Sequence, residues 1–269
     1  MVLRSAFVVC ALLVLGAGRS GAQPATAPVP TAGTVLVTGG NRGLGLELVK
    51  QYAARSWRVI ATARDPASAV ELQAVAKSDA HVTVETLDLL DDAAIAALAA
   101  KYRGTPIDVL LNNAGVLGDL DAQQLGSLDY AEFAEVMRVN AYAPLAMAQA
   151  FVENVASSRE KKIVSMTSRS GIVSLPGWRG PYFYRASKIA LNMQMRVLAD
   201  DLRPRGIVVA LVAPPPTDTE MLRALAGTET AARQARPADS IAGVIKVIDG
   251  LTVENSAQPL YFDGTPLPW

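Results

Sequence analysis

Two rhythms of apolar and polar positions alternate along this chain. Short runs rich in β-branched residues occur at 34–37, 58–61, 82–87, 107–111, 162–167, 207–212 and 260–262. Longer helical stretches lie between them, at 44–54, 67–77, 91–102, 130–154, 184–202 and 240–249. Strands separated by helix-length segments make βαβ units, and βαβ units make a parallel sheet with helices on both faces. Seven such strands fit one doubly wound α/β domain over 34–269, with ligand sites at the carboxyl ends of the strands. Two stretches break the rhythm. Residues 171–183 are rich in Gly, Pro and aromatics, and 213–237 opens on three prolines without a sheet-like period. Long irregular segments at strand ends are where binding loops and lids occur.

The region before residue 34 reads differently. Arg4 precedes an apolar run at 6–15, followed by Ser20-Gly21-Ala22 and a Pro/Ala/Thr linker at 23–33. A short basic start, an apolar core too short to span a bilayer comfortably and a small-x-small site read as a signal peptide cleaved after Ala22. An uncleaved membrane anchor and a start codon placed too far upstream are the competing readings. The first two predict a periplasmic, exported or membrane-tethered protein, and the third a cytoplasmic one.

Composition narrows the chemistry. About half of the residues are hydrophobic and 19% are charged, which fits a soluble globular protein. The formal net charge is zero, so there is no basic excess to serve as a nucleic-acid footprint. The single histidine, His81, and single cysteine, Cys10, nearly exclude a His/Cys metal site and a Ser-His-Asp or Cys-His nucleophile. His81 opens an alternating run and reads as a solvated strand-edge residue.

The first strand-to-helix junction carries Thr38-Gly39-Gly40-Asn41-Arg42-Gly43-Leu44-Gly45. Gly39 permits a tight turn, Gly43 lets the backbone approach a pyrophosphate, and Gly45 lets helix and strand pack closely. The helix then turns its free N–H groups toward the phosphates. This is a Rossmann-type nucleotide site, although the spacing is G-x-x-x-G-x-G. At the end of the second strand, a carboxylate would bind a ribose 2′-OH and select NAD, whereas an arginine accommodates a 2′-phosphate. Arg64 stands there, with Arg42 as a second guanidinium, which favours NADP(H) over NAD(H). Asp65 is either a repulsive neighbour of that phosphate or a cap for the next helix.

Tyr184 and Lys188 lie four residues apart, on one face of a helix. An ammonium so placed lowers the phenol pKa from about 10 toward neutrality. Such a phenol can exchange a proton with an alcohol or carbonyl oxygen. The same spacing also suits an ordinary amphipathic face.

The glycine turn, Asn112-Asn113-Ala114-Gly115, Asn140, Ser168 and Tyr184-x-x-x-Lys188 occur in the order that resembles the short-chain dehydrogenases/reductases, from about residue 34 to 269. The run 184–193 and the ending Tyr261-Phe262-Asp263-Gly264-Thr265-Pro266-Leu267-Pro268-Trp269 resemble their C-factor/sniffer-like carbonyl reductases. The resemblance implies a proton-donating Tyr184 and a Lys188 that tunes it and binds the nicotinamide ribose. Ser168 would hold the carbonyl oxygen, and Asn140 would position a water leading to solvent. Asp88 would accept from the adenine, Asn113, Ala114 and Gly115 would line the adenosine side, and Thr217 and Thr219 would serve the nicotinamide end. Plainer readings stand beside these: Asp88 as the cap of the helix near Asp91, Asn112 and Asn113 as turn residues, Asn140 as a polar kink, and Ser170 in place of Ser168. The resemblance also implies a homodimer or homotetramer built on the helices carrying Asn140 and Tyr184.

One departure stands out. Relatives have Pro-Gly after the sixth strand, and this chain has Pro214-Pro215, which fixes φ and removes an N–H. The expected activity is hydride transfer between NADP(H) and a small carbonyl or alcohol substrate. Trp178, Tyr182, Phe183, Met221, Leu222 and Trp269 are candidates for an apolar pocket. The alternative is a nucleotide-binding signalling or scaffold protein of the same fold with little turnover.

Overall fold

The structure, a computed structural model, describes residues 32–175 and 180–269. The signal-peptide reading of 1–22, nearly all of the linker, and Trp178 lie outside the described residues. Chain order is β1 (Thr34–Val37), α1 (Gly43–Ala54), β2 (Arg58–Ala63), α2 (Val70–Ser78), β3 (Val82–Thr86), α3 (Asp92–Lys101) and β4 (Val109–Asn112). Then come α4 (Tyr130–Met137), α5 (Ala143–Ala156), β5 (Lys162–Met166), α6 (Tyr182–Leu202), β6 (Val208–Ala213), α7 (Glu220–Ala226), α8 (Thr228–Ala232), α9 (Pro237–Asp249) and β7 (Pro259–Tyr261).

The strands form one sheet in the order β3-β2-β1-β4-β5-β6-β7, and every pairing is parallel. Successive side chains leave opposite faces of a strand. Val35 and Val37 therefore enter one core with α1 and α9, while Leu36 enters the other with α3, α5 and α6. Burial on both faces explains why the strand segments read as unbroken apolar runs. The order in which strands are added reverses at β1, outward to β3 on one side and from β4 to β7 on the other, so the carboxyl ends of β1 and β4 open a crevice.

The stretch expected as one helix over 130–154 is helical throughout, with one irregular turn inside it. Asp129 caps α4 by accepting from the N–H of Ala131, and a π-turn at Arg138–Tyr142 separates α4 from α5. In this turn the Ala143 N–H donates to the Arg138 carbonyl, while Pro144 has no N–H to offer Asn140. The irregular region 213–237 contains α7 and α8, which the periodicity did not reveal.

Candidate active site

A cleft of about 930 Å³ lies over the β1–β4 crevice, near the upper end of the size range of small-molecule sites. Its floor is the glycine turn. Gly39 has φ +66, and a Cβ there would stand 3.0 Å from Ala114 Cα. Gly45 allows no side chain at all, because a Cβ would fall 2.0 Å from the Gly39 carbonyl and 2.6 Å from Asn113 Nδ2. Gly43, at φ +54, faces open space, with Thr219 Cγ2 the nearest atom at 3.8 Å. Asn41, Arg42 and Leu44 line the same wall. α1 begins at Gly43 and its N-cap, Arg42, makes no side-chain cap, so first-turn N–H groups remain for a ligand.

Thr38 is placed behind this wall. Its hydroxyl accepts from the N–H groups of Asn113 and Ala114, both at 3.1 Å. Asn113 Nδ2 returns bonds to the carbonyls of Thr38 and Gly39 at 3.0 and 3.2 Å. The ends of β1 and β4 are thus laced together, and Ala114 and Gly115 face the cleft. Arg64 lines the cleft at the end of β2. Asp65 caps no helix, since α2 starts at Val70 with Ala69 as an N-cap that makes no side-chain bond: its carboxylate accepts from the N–H groups of Ala67 and Ser68 in its own turn, and the bonding to Ser68 holds its pKa below the ordinary carboxylate value. Asp88 also lines the cleft and accepts from the Leu90 N–H. The cap of α3 is instead Asp91, which accepts from Ala93 and Ala94.

Tyr184 and Lys188 lie together on α6 at the inner end of the cleft. Of the four hydroxyl candidates, that of Ser168 is the one that acts on the Tyr184 phenol, lowering its pKa. Ser165 lies within β5 beside Asn112, and Thr167 donates to Asn192 Oδ1 at 2.5 Å. Ser170 meets Ser168 only through its backbone N–H. Lys188 Nζ donates to the Met166 carbonyl at 2.9 Å and lies 5.7 Å from the Tyr184 ring centre. Asn140 is fully buried behind Gly115. Its amide pairs with the N–H and C=O of Val116, both at 2.8 Å, and donates to Ser187 Oγ at 3.0 Å. A Cβ on Gly115 would come within 3.3 Å of Asn140 Oδ1 and 3.7 Å of Lys188 Nζ.

Two expectations are corrected. The phenol of Tyr184 is pushed up, not down: burial raises its pKa, and only the bond from Ser168 opposes this. Helical spacing brings the two side chains near each other, but desolvation and not the lysine governs the phenol, and burial lowers the lysine's own pKa to about 8. Thr217 faces away from the cleft. It is 5% exposed, donates to the Pro215 carbonyl at 2.7 Å and lies 2.7 Å from Ser240 Oγ. The lid side of the cleft belongs to Pro214, Thr219, Glu220, Met221 and Ala224 instead, with Thr219 capping α7. Glu220 is ion-paired with Arg42 across the mouth, a contact with no local sequence signal. Gln123, also unsuspected, bonds to the start of α6. Among the described residues no His, Cys, Asp or Glu cluster could hold a metal ion, and no helix is long and apolar enough to cross a membrane.

The family model for short chain dehydrogenases matches residues 33–230. C-signal of Myxococcus xanthus is 39% identical over 173 residues, which cover 64% of this chain and 99% of that protein. The 1-hydroxy-2-glutathionyl-2-methyl-3-butene dehydrogenase of Rhodococcus sp. (strain AD45) is 31% identical over 239 residues, 88% of this chain and 99% of the relative. Among solved structures, the NADPH-bound carbonyl reductase from chicken fatty liver is similar at TM-score 0.80 and 30% identity, with 89% of this chain and 100% of that one covered. Carbonyl reductase Sniffer of D. melanogaster is similar at TM-score 0.79 and 26% identity, covering 88% and 99%.

Proposed function

The chain belongs to the short chain dehydrogenase family, and we propose that it is an NADP(H)-dependent oxidoreductase that reduces a carbonyl substrate, with Tyr184 as the acid. The observation that carries this reading is a half-buried Tyr184 phenol, with Lys188 Nζ 5.7 Å from its ring centre and Ser168 acting on it, in a cleft whose floor is a glycine turn. The residues present fit the cofactor. Gly43 leaves room at the N-terminus of α1, where backbone N–H groups favour phosphate. Arg42 and Arg64 line the cleft and would serve a 2′-phosphate, Arg42 by exchanging its pairing with Glu220, and Asp65 has its carboxylate turned to its own loop. The NADPH-bound relative supports the same choice.

When bound, NADPH supplies the hydride. The protein's part is to hold the carbonyl oxygen with the Ser168 hydroxyl and to give it the Tyr184 proton. A phenol whose pKa is raised is fully protonated at neutral pH, the form needed for reduction. Lys188, with a pKa of about 8, is mainly charged below that pH and stabilises the phenolate left behind. Oxidation of NADPH against a panel of aldehydes, ketones and quinones tests the reading. Turnover with NADPH well above that with NADH is expected.

A second reading has its own support. The relative named C-signal is 39% identical, and the segment after β6 carries Pro215, whose carbonyl is engaged by Thr217. Tight cofactor binding without turnover across the whole panel would favour a nucleotide-binding signalling protein.

A further inference from the structure

The helix that carries Tyr184 begins without a cap of its own. Pro181 precedes it and makes no side-chain cap, so its first N–H groups need partners from elsewhere. Gln123, sixty residues away, supplies them: Oε1 accepts from the N–H of Phe183 at 2.8 Å and of Tyr184 at 3.3 Å. The other end of the same amide is also engaged. Nε2 donates to the carbonyls of Leu117 and Asp119, each at 3.0 Å. Those carbonyls belong to the segment after β4 that lines the cleft. Gln123 is only 3% exposed, which shields these bonds from competing water.

The segment it holds has little slack. Gly118 has φ +78, and a Cβ there would meet Val136 Cγ2 at 2.7 Å and Gln123 Nε2 at 3.0 Å. Asn140 grips the same segment at Val116 and connects it to Ser187, in the second turn of α6. The cleft wall is therefore strung between two amides, one on the body of α6 and one on its first turn. A simple cap would need only the acceptor half of Gln123, whereas here the donor half is spent on the cleft wall.

We propose that Gln123 is a positioning residue that sets the Tyr184 phenol against the wall of the cofactor cleft. The proposal rests on the reading of Tyr184 as the acid. Without the amide, the first turn of α6 can drift from the wall, and a displacement of about 1 Å costs on the order of 100-fold in rate. The glycine turn and Arg64 sit on other elements, so cofactor affinity is spared.

Two variants of the full chain test this, with NADPH and 4-nitrobenzaldehyde as probes. Gln123→Leu is expected to lose on the order of 100-fold in kcat while NADPH binding stays near the wild-type value. Gln123→Glu separates positioning from bulk. Ionised, it sets a carboxylate against the carbonyls of Leu117 and Asp119; protonated, it donates to one of them and still accepts from α6. Glu132 Oε1 on α4 lies beside the Gln123 amide at Gly118, and Asp119 and Asp121 belong to the same short segment; their negative charges raise the pKa of an introduced carboxyl. Gln123→Glu should therefore match Gln123→Leu at about pH 8 and regain activity relative to wild type at about pH 5.5.

One readout needs no turnover. Ultraviolet titration of each background against its Tyr184→Phe counterpart follows the single phenol, which should ionise at lower pH in Gln123→Leu as water reaches it. Wild-type kcat and an unmoved phenol in Gln123→Leu would overturn the proposal. So would NADPH affinity lost in step with kcat, or a deficit in Gln123→Glu that ignores pH. Should Gln123→Leu fail to fold, Gln123→Glu at the two pH values decides alone. Full turnover in Tyr184→Phe would instead remove the acid assignment, while a shifted phenol titration would still place Gln123 as its support.

Discussion

The glycine-turn side of the cleft and the lid side are built by different means. On the glycine side, backbone approach dictates residue type. Gly45 sits where a Cβ would lie 2.0 Å from a carbonyl oxygen, and the end of β1 is laced to β4 through Thr38 and Asn113. On the lid side, distant polar partners hold the chain: Thr217 on Ser240, Glu220 on Arg42, and the Asp218 N–H on the Ala235 carbonyl. The first side tolerates almost no change at its tightest points. The second can change residue by residue, which suits a surface that selects substrates.

The largest expected effect breaks the glycine side. Gly45→Ala must push α1 off the Gly39 carbonyl, and overpacking of this kind costs about 1–3 kcal/mol. NADPH binding should vanish while much of the sheet remains, as calorimetry of NADPH binding alongside circular dichroism would report. Next is the double change Arg42→Ala with Arg64→Ala. Charge-assisted hydrogen bonds to a phosphate contribute about 1.5–3 kcal/mol each, so preference for NADPH over NADH should fall by at least tenfold in kcat/KM. Unchanged preference would place the 2′-phosphate elsewhere.

The lid side should give smaller effects. Thr217→Val removes bonds to Pro215 and Ser240 and should cost on the order of 1 kcal/mol in chemical unfolding. NADPH affinity should stay as in wild type, and a large loss would return Thr217 to the cofactor. Smallest is a pH effect on stability. The pKa of Lys188 falls from 10.5 when unfolded to about 8 when folded, so between those values the unfolded chain binds more protons and stability rises with pH. Wild type should gain stability relative to Lys188→Met over that window, and parallel curves would contradict the lysine's burial.

The contrast also marks what was legible in the sequence. The sheet was readable because each central strand is buried on both faces, which writes an uninterrupted apolar run such as that around Leu36. The glycine turn was readable because steric exclusion admits one residue type. The irregular turn at Asn140 was legible only as a possible polar kink, since the bonds from Asn140 to Val116 that hold it are tertiary. α7 and α8 follow three prolines and are largely exposed, so no apolar face announced them. Gln123 lies in an ordinary polar stretch beside Gln124, and nothing local marks the one that is buried. Spacing put Tyr184 beside Lys188 correctly but could not say how far burial would strip both of water.

The most direct test compares wild type with Tyr184→Phe at saturating NADPH, after calorimetry has established that both bind the cofactor equally. The account predicts a loss of at least about 100-fold in kcat, the scale of a removed general acid, with binding unchanged. Turnover by Tyr184→Phe at the wild-type rate would contradict it.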